Sequence, residues 1–332
     1  MGYHERGGGR SATLVAKMGP KPGVLMLKMM MPYLRDSLES KFTLYPLWEQ
    51  SDKEGYLAQN AQSIRGLVTW TGATVDAELI NKLPKLEIVS AFSVGVDKVD
   101  LHKCKERGIA VTNTPDVLTD DCADLAIALL LSSMRQVCAA DRYVRKGCWP
   151  KLGQYPLTYK MSGKRLGIVG LGRIGMAVAK RAEAFSCKIS YFARSEKSDV
   201  PYKFYDTVLE LANNSDMLVI TCALTKETTH IVGRKVLDAL GPEGFLVNIA
   251  RGPVVDEQEL VKALIEGRLG GAGLDVFEKE PQVPQELWNM DNVVLLPHVG
   301  SGTWDTRRAM ADLAVSNLEA HFAGKPLLTP CN

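Results

Sequence analysis

The sequence has few of the features that mark a membrane protein, a nucleic-acid-binding protein or a zinc protein. Its longest apolar run, Leu125 to Leu131, is far shorter than the roughly 20 residues that cross a bilayer. A net charge of +2 gives no reason to expect a nucleic acid or an anionic membrane as a partner. The seven cysteines are scattered and form no C-x-x-C pair, so we expect no structural zinc site and no other metal.

The two ends of the chain carry no recognisable targeting signal. Residues 1–22 are polar and glycine-rich, without the apolar segment of a secretory signal, and predict a disordered extension. The last four residues match neither a peroxisomal signal nor a prenylation box. Several cysteines, such as Cys122 and Cys222, lie in apolar runs, which suits reduced thiols in a reducing compartment. The expected location is therefore the cytoplasm.

What the sequence does contain is a regular alternation of short apolar runs with helical segments. A chain of 332 residues is long for one hydrophobic core, so two domains are expected. Repeated strand–helix order predicts parallel sheets covered by helices, which is the α/β class. The predicted strands cover residues 24–27, 66–70, 86–89, 109–111, 165–169, 189–192, 217–221, 245–249, 273–276 and 293–296.

A long helical segment separates the two series of strands. Residues 120–146 keep a helical pattern without glycine or proline, and residues 303–323 form a helical segment near the C-terminus. We assign residues 23–119 together with 303–332 to one domain and residues 120–302 to the other. A cleft is expected between the two domains.

The segment Gly170-Leu171-Gly172-Arg173-Ile174-Gly175 connects a predicted strand to a predicted helix. Gly170 allows the tight turn, Gly172 lets the backbone approach a pyrophosphate, and Gly175 lets the helix pack on the strand. The N-terminus of that helix, where Arg173 and Ile174 lie, offers N–H groups to phosphate. The alternative is that the glycines serve only a tight turn. The context favours a dinucleotide site in a Rossmann-like second domain.

The end of the next strand bears on the choice of cofactor. An acidic residue at that edge would bond the ribose 2′-hydroxyl of NAD, but the chain has Arg194 and Ser195 there. A guanidinium beside a hydroxyl suits a 2′-phosphate, so NADP(H) is preferred and NAD(H) is the alternative. If Arg194 is instead a solvated loop residue that stacks on adenine, the preference stays open.

Three polar side chains follow apolar, strand-like runs later in the chain. Arg251 precedes a Gly-Pro turn, Glu280 precedes a proline, and His298 precedes a Gly-containing turn. Open α/β sheets bind ligands outside the carboxyl ends of their strands, where these residues are expected. Hydride transfer to a carbonyl builds negative charge on oxygen, which a cation and a proton donor stabilise. The trio predicts reduction of a 2-oxo acid. The alternatives are that Arg251 is an ordinary surface arginine and that Glu280 and His298 form a merely structural ion pair.

Several long motifs resemble the D-2-hydroxyacid dehydrogenase family over roughly residues 23–330. The motifs lie at residues 90–97, 111–119 and 298–303, and they are most similar to the hydroxyphenylpyruvate and hydroxypyruvate reductases of plants. The resemblance implies a flavodoxin-like substrate domain beside the dinucleotide-binding domain, and a D-2-hydroxy acid as product. Hydroxyphenylpyruvate, hydroxypyruvate and glyoxylate are the expected substrates.

The resemblance also implies a role for each residue of the site. Arg251 would hold the substrate carboxylate and polarise the 2-oxo group, while His298 would be the general acid. Glu280 would pair with His298 and favour its imidazolium form. Backbone N–H groups of Val94 and Gly95 would bind the substrate carboxylate. Two further residues are placed near the cofactor and the hinge: Asp275 and Thr112. The remaining histidines are interpreted as structural or as part of the tail: His4, His102, His230 and His321.

Some alternatives remain open at this point. The Met-rich segment at residues 26–31 either lines the pocket or fills the core, and Trp70 and Lys28 depart from the plant subgroup near the predicted pocket mouth. The alternative function is a dinucleotide-sensing, corepressor-like scaffold, because such scaffolds can keep the trio. The resemblance implies a homodimer that packs through the long helix and Trp149.

Overall fold

The computed structural model describes residues 20–331, which form two parallel β-sheets flanked by helices. The predicted disordered extension, residues 1–22, lies outside the described residues except for its last three positions. Of these, Lys21 donates from Nζ to the carbonyl of Glu39 at 3.1 Å, and the carbonyl of Pro22 accepts from the N–H of Thr43 at 3.0 Å.

The strands and helices alternate along the described part of the chain. The strands are β1 (Gly23–Met26), β2 (Thr43–Pro46), β3 (Ile64–Thr69), β4 (Ile88–Ala91), β5 (Ala110–Thr112), β6 (Arg165–Val169), β7 (Lys188–Phe192), β8 (Lys203–Phe204), β9 (Met217–Ile220), β10 (Phe245–Asn248), β11 (Gly271–Leu274) and β12 (Val293–Leu295). The α-helices are α1 (Pro32–Lys41), α2 (Lys53–Asn60), α3 (Ala77–Lys82), α4 (Leu101–Glu106), α5 (Thr119–Met134), α6 (Val137–Arg145), α7 (Trp149–Leu152), α8 (Arg173–Glu183), α9 (Val208–Asn213), α10 (Arg234–Leu240), α11 (Glu257–Ile265) and α12 (Trp304–Phe322).

Both sheets are doubly wound. The first has the strand order β2-β1-β3-β4-β5, which is the flavodoxin-like order. The second has the order β12-β11-β10-β9-β6-β7-β8, in which the order reverses between β6 and β9, as in a Rossmann sheet. All of these strand pairs are parallel, and strands such as β1, β9 and β10 are buried along their whole length. The predicted α/β fold with two parallel-sheet domains is confirmed.

Two edge strands, β2 and β8, were not predicted from the sequence. β2 ends in a proline and is only partly buried, and β8 has two residues. A strand at the edge of a sheet needs fewer apolar residues, because one side of its backbone faces solvent or a loop. Neither strand therefore produces the apolar run on which the prediction relied. The predicted strands 86–89 and 109–111 lie one or two residues too early.

The prediction of one unbroken helix over residues 120–146 is wrong. The helix breaks after Met134, and α5 and α6 make an angle of 59°. Gln136 takes a left-handed φ of 48°, which ends α5 and starts α6 in a new direction. Helical periodicity alone did not reveal this break. Between residues 20 and 331 no single helix is long and apolar enough to cross a membrane, although α5 and α6 together, as a bent pair, satisfy length and composition.

The end of the chain returns to the first sheet. α12 packs on α1 and β4, and Pro330 makes an antiparallel bridge with Thr112 of β5. α5 instead packs on α8 and on β10 and β11 of the second sheet. The chain thus passes from the first sheet to the second at the start of α5, and back again just before α12.

Candidate active site

A cavity of about 650 Å³ lies where the carboxyl ends of strands from the two sheets face each other. This volume is within the range of sites for small molecules. Loops that follow β4, β6, β9, β10, β11 and β12 contribute to its wall. The residues that line it include Phe92, Val94, Gly95, Asp97, Gly172, Arg173, Ile174, Arg251, Asp275, His298 and Arg307. In the described range the structure contains no group of three or more His, Cys, Asp or Glu side chains that could hold a metal ion.

Arg251 reaches the cavity from a turn at the end of β10. The side chain of Asn248 shapes this turn, accepting from the N–H of Ala250 at 3.0 Å and donating to the carbonyl of Arg251 at 2.9 Å. The Nε of Arg251 donates to Asp97 at 3.0 Å, and one terminal nitrogen donates to the carbonyl of Ala250 at 2.7 Å. Asp97 belongs to the first sheet's side of the cleft, so this ion pair connects the two domains.

The second terminal nitrogen of Arg251 lies against the turn that contains Val94 and Gly95. A Cβ on Gly95 would be 2.1 Å from Nη2 of Arg251, so a side chain at this position would displace the guanidinium. Within residues 20–331 the N–H groups of Val94 and Gly95 make no hydrogen bond to the protein. The Arg251 guanidinium thus lies beside a turn with two N–H groups that have no hydrogen-bond partner within residues 20–331, an arrangement that suits a carboxylate.

His298 and Glu280 form a hydrogen-bonded pair beside Arg251. His298 follows β12 with a left-handed φ of 54°, and its N–H donates to the carbonyl of Asp275 at 2.8 Å. Nδ1 of His298 is 2.9 Å from Oε2 of Glu280. The other oxygen of Glu280 accepts from the N–H of Phe277 at 3.2 Å. Because Nδ1 is engaged, the imidazole can present Nε2 to the cavity that His298 lines.

The two carboxyl groups near His298 have opposite pKa shifts. Burial alone would raise the pKa of Glu280, but the hydrogen bond and positive charge of His298 outweigh it and lower that pKa. Burial raises the pKa of Asp275, although its oxygens accept from the N–H groups of Val299 and Gly300 at 2.7 and 2.8 Å. Asp275 therefore fixes the backbone next to His298.

The glycine-rich turn has the geometry expected for a pyrophosphate. Gly170 has a φ of 100°, which strongly favours glycine, and a Cβ on Gly175 would lie 2.2 Å from the carbonyl oxygen of Gly170. Gly172 is the N-cap residue of α8, and the space around the position of its missing Cβ is open. The first N–H groups of α8 face this opening, beside Arg173 and Ile174 in the cavity wall. Arg173 is also paired with Asp116 at 2.5 Å.

Three residues predicted for the cofactor lie away from the cavity wall. Arg194 and Ser195 are exposed just beyond β7. The pKa of Glu227 is lowered mainly by its hydrogen bond with Thr225, and the positive charge of the nearby Arg194 adds to this effect. Thr112 ends β5, is fully buried, and has no hydrogen-bond partner for its hydroxyl within the described residues. Thr112 therefore does not line the cavity.

Two residues of the site were not found from the sequence. Asp97, the partner of Arg251, lies in a loop of the other domain, and no local pattern indicates the pairing. Arg307 lies in the first turns of α12 and reaches the cavity wall, with its guanidinium 5.6 Å from the ring centre of Phe92. Burial lowers the pKa of Arg307. In sequence it cannot be told from its exposed neighbour Arg308.

The structure shows where Trp70, Lys28 and the Met-rich segment at residues 26–31 lie. Trp70 lines the cavity, and Nζ of Lys28 lies 5.1 Å from the centre of its ring. Met26 and Met31 are buried in the hydrophobic core, and no methionine of residues 26–31 lines the cavity. This favours core packing for the Met-rich segment.

Comparisons of the sequence with known proteins identify its family. Residues 127–300 match the family described as D-isomer specific 2-hydroxyacid dehydrogenase, NAD binding domain. The chain is 64% identical over 308 residues to the hydroxyphenylpyruvate reductase of Plectranthus scutellarioides, a match that covers 93% of this chain and 98% of that protein. It is 63% identical, with the same coverage, to glyoxylate/hydroxypyruvate reductase A of Arabidopsis thaliana.

Solved structures give the same result. A 2-hydroxyacid dehydrogenase from Ketogulonicigenium vulgare superposes with a TM-score of 0.89 at 45% identity, covering 95% of this chain and 99% of that one. An NADPH-dependent glyoxylate/hydroxypyruvate reductase from Sinorhizobium meliloti, in complex with NADP and malonate, superposes with a TM-score of 0.87 at 39% identity, covering 94% and 97%. The chain belongs to the D-2-hydroxyacid dehydrogenase family of nicotinamide-dependent oxidoreductases.

Proposed function

We propose that this protein reduces 2-oxo acids to D-2-hydroxy acids with NADPH. The observation that carries the proposal is the convergence of Arg251 and the Glu280–His298 pair on one cavity, next to the glycine-rich turn. A cation for the carboxylate, a proton donor and a dinucleotide turn are the parts that this reduction needs.

The chain's own residues fit a dinucleotide. The turn at residues 170–175 has open space at Gly172 and the N–H groups of α8 behind it, and the cavity extends from there to His298. When bound, the nicotinamide would supply a hydride to the substrate's carbonyl carbon.

The remaining steps belong to side chains and backbone groups on the cavity wall. The free N–H groups of Val94 and Gly95, with Nη2 of Arg251, bind the substrate carboxylate and so orient the 2-oxo group. Nε2 of the protonated His298 gives its proton to the carbonyl oxygen as negative charge develops there. Glu280 holds Nδ1 at 2.9 Å, which fixes the ring so that Nε2 faces the substrate.

The preference for NADPH is proposed on the residues at the end of β7. Arg194 and Ser195 are exposed there and free to meet a 2′-phosphate, and no acidic residue precedes them at that edge. The relative from S. meliloti is NADPH-dependent. Arg194→Asp should lower the ratio of kcat/KM with NADPH to that with NADH, and an unchanged ratio would exclude Arg194 from this role.

We also propose how the molecule is divided and assembled. Residues 23–119 with 303–332 form the substrate domain, and residues 120–302 form the dinucleotide domain. The two crossing segments touch, because the Thr303 hydroxyl donates to Asp121 at 2.5 Å, and hinge motion is proposed at this contact. The chain pairs with a second copy through the exposed apolar side chains of α6 and α7, and its proposed location is the cytoplasm, which cell fractionation would test.

The test is a panel of steady-state rates with the full-length protein. Hydroxyphenylpyruvate, hydroxypyruvate and glyoxylate, the substrates that the names of its relatives suggest, are each paired with NADPH and with NADH. We expect turnover with at least one of these acids and a higher kcat/KM with NADPH. Binding of the dinucleotide without turnover of any acid would contradict the proposal and support the scaffold alternative.

A further inference from the structure

His230 touches the two turns that carry the proposed catalytic groups. It lies between β9 and α10, outside the cavity wall, with a left-handed φ of 51°. The sequence analysis interpreted it as structural. We propose that His230 is a positioning residue that sets the spacing between the turn carrying Arg251 and the loop carrying Glu280, an inference that rests on the proposed function of those residues.

The first contact is with the Arg251 turn and comes from the backbone. The N–H of His230 donates to the carbonyl of Pro253 at 2.8 Å, two residues beyond Arg251. The following residues extend this pairing, since the N–H of Val232 donates to Val254 at 3.2 Å and the N–H of Asp256 donates to Val232 at 3.0 Å. The segment that follows His230 is therefore attached to the chain just after Arg251.

The second contact is with the Glu280 loop and comes from the ring. Nε2 of His230 is 2.5 Å from Oε1 of Glu278, two residues before Glu280. Glu278 is fixed from its other side by α11, because its N–H donates to the Glu257 carboxylate at 3.0 Å. The ring of His230 thus holds one end of a loop whose other end carries the partner of His298.

The two turns also lie directly against each other. A Cβ on Gly252 would be 1.9 Å from the carbonyl carbon of Phe277, so the backbone after Arg251 packs on the backbone before Glu278 without space for a side chain. His230 bridges this contact at its edge. A shift at His230 would change the position of Arg251 relative to Glu280 and His298.

A role of His230 in a surface ion pair and a role in positioning the catalytic groups predict different results for its variants. The His230 side chain is 47% exposed, and ion pairs with that exposure contribute little to stability. Catalysis is far more sensitive to position, since a misplacement of about 1 Å can lower a rate by about 10². A positioning role therefore predicts a loss of kcat that is out of proportion to the change in melting temperature.

The experiment uses the full-length protein with hydroxypyruvate and NADPH. His230→Ala should lower kcat by about tenfold or more through displaced catalytic groups, with the dinucleotide Kd and the melting temperature close to wild type. His230→Gln, which can still donate to Glu278, should recover much of the rate. His321→Ala is the matched control, because His321 pairs with Glu87 at 3.2 Å away from the cavity, and it should keep the wild-type kcat.

Glu278→Ala, which removes the acceptor of the His230 ring, is the second test if His230→Ala does not fold. It should lower kcat in the same way, and the double variant His230→Ala with Glu278→Ala should be no slower than the worse single variant. A kcat of His230→Ala within about twofold of wild type, or effects that multiply in the double variant, would overturn the inference. A wild-type protein that turns over no 2-oxo acid would instead overturn the proposed function.

Discussion

The Glu280 carboxylate accepts from both the His298 ring and the Phe277 backbone, and these contacts stabilise its charged form in the folded protein. The pKa of Glu280 is lowered because the hydrogen bond and charge of His298 outweigh the effect of burial. A lowered carboxyl pKa adds stability that is complete above the ordinary carboxyl pKa. This stability is lost as the pH falls through the lowered folded value.

Glu280→Gln should remove this pH dependence, because an amide does not titrate. We expect the stability difference between wild type and Glu280→Gln to be larger at about pH 7 than at about pH 3. Urea unfolding of both proteins across this range measures it. A difference that stays constant with pH would show that the pKa of Glu280 is the same in the folded and unfolded chains.

Two cysteines in the cavity wall should be unreactive. Burial raises the pKa of Cys122 to about 12 and that of Cys222 to about 11. The thiolate is the reactive form, so both remain protonated near neutral pH. Iodoacetamide at about pH 8 should therefore label the exposed Cys138 before either of them, with little loss of activity. Peptide mass spectrometry gives the order of labelling, and early labelling of Cys122 would contradict this expectation.

At the scale of elements, two glycines near the turn between β6 and α8 have different roles, one in packing and one in leaving space for a ligand. Gly175 is needed for packing, because its Cβ would meet the Gly170 carbonyl at 2.2 Å, whereas Gly172 faces open space. Gly175→Ala should lower the free energy of unfolding by about 1–3 kcal/mol, the usual result of overpacking. Gly172→Ala should leave stability nearly unchanged but weaken dinucleotide binding, because the pyrophosphate approaches that position.

Denaturant unfolding and dinucleotide titration of the two variants distinguish these effects. Equal losses of stability in Gly175→Ala and Gly172→Ala would mean that the turn is packed differently from the structure described above. Unchanged dinucleotide affinity in Gly172→Ala would show that the pyrophosphate does not bind at this turn.

The elements that the sequence predicted well are those with local causes. Central parallel strands such as β9 and β10 are buried on both faces, so each produces an apolar run. The edge strands β2 and β8 lack this requirement, and the break at Gln136 depends on a single left-handed residue. The α/β class was therefore predictable, while the edges of the sheets and the shape of the connecting helices were not.

The residues of the site likewise include some that a local sequence pattern predicts and others that only the tertiary fold brings there. Arg251 and His298 were recognised because each follows a strand, and the structure brings both to one cavity together with Glu280 behind His298. The partner Asp97 and the cavity residue Arg307 come from the other domain, and only the tertiary fold places them there. Thr112, expected near the cofactor and the hinge, is buried at the end of β5 and does not line the cavity.

At the scale of the whole molecule, the surface of α6 and α7 bears on assembly. Val144, Trp149 and Leu152 are 54%, 59% and 71% exposed, which is unusual for large apolar side chains so close in the chain. If this surface pairs with a second copy, the protein should elute at twice the chain mass of 36.4 kDa. Leu152→Asp should shift it toward the monomer, as measured by size exclusion with light scattering.

Ile265→Asp is the control for that experiment, because Ile265 is similarly exposed on α11, away from α6 and α7 in sequence. It should leave the elution unchanged. A wild-type protein that elutes as a monomer, or an equal response of both variants, would exclude α6 and α7 as the dimer surface.

The central claim concerns the whole active cleft and depends on the proton that His298 supplies. The most direct measurement is kcat for the best 2-oxo acid with NADPH, compared between wild type and His298→Ala after the dinucleotide Kd of both has been determined. We expect kcat to fall by roughly 10²–10⁴, the usual contribution of general acid catalysis, with Kd nearly unchanged. A near-wild-type kcat in His298→Ala would contradict the account.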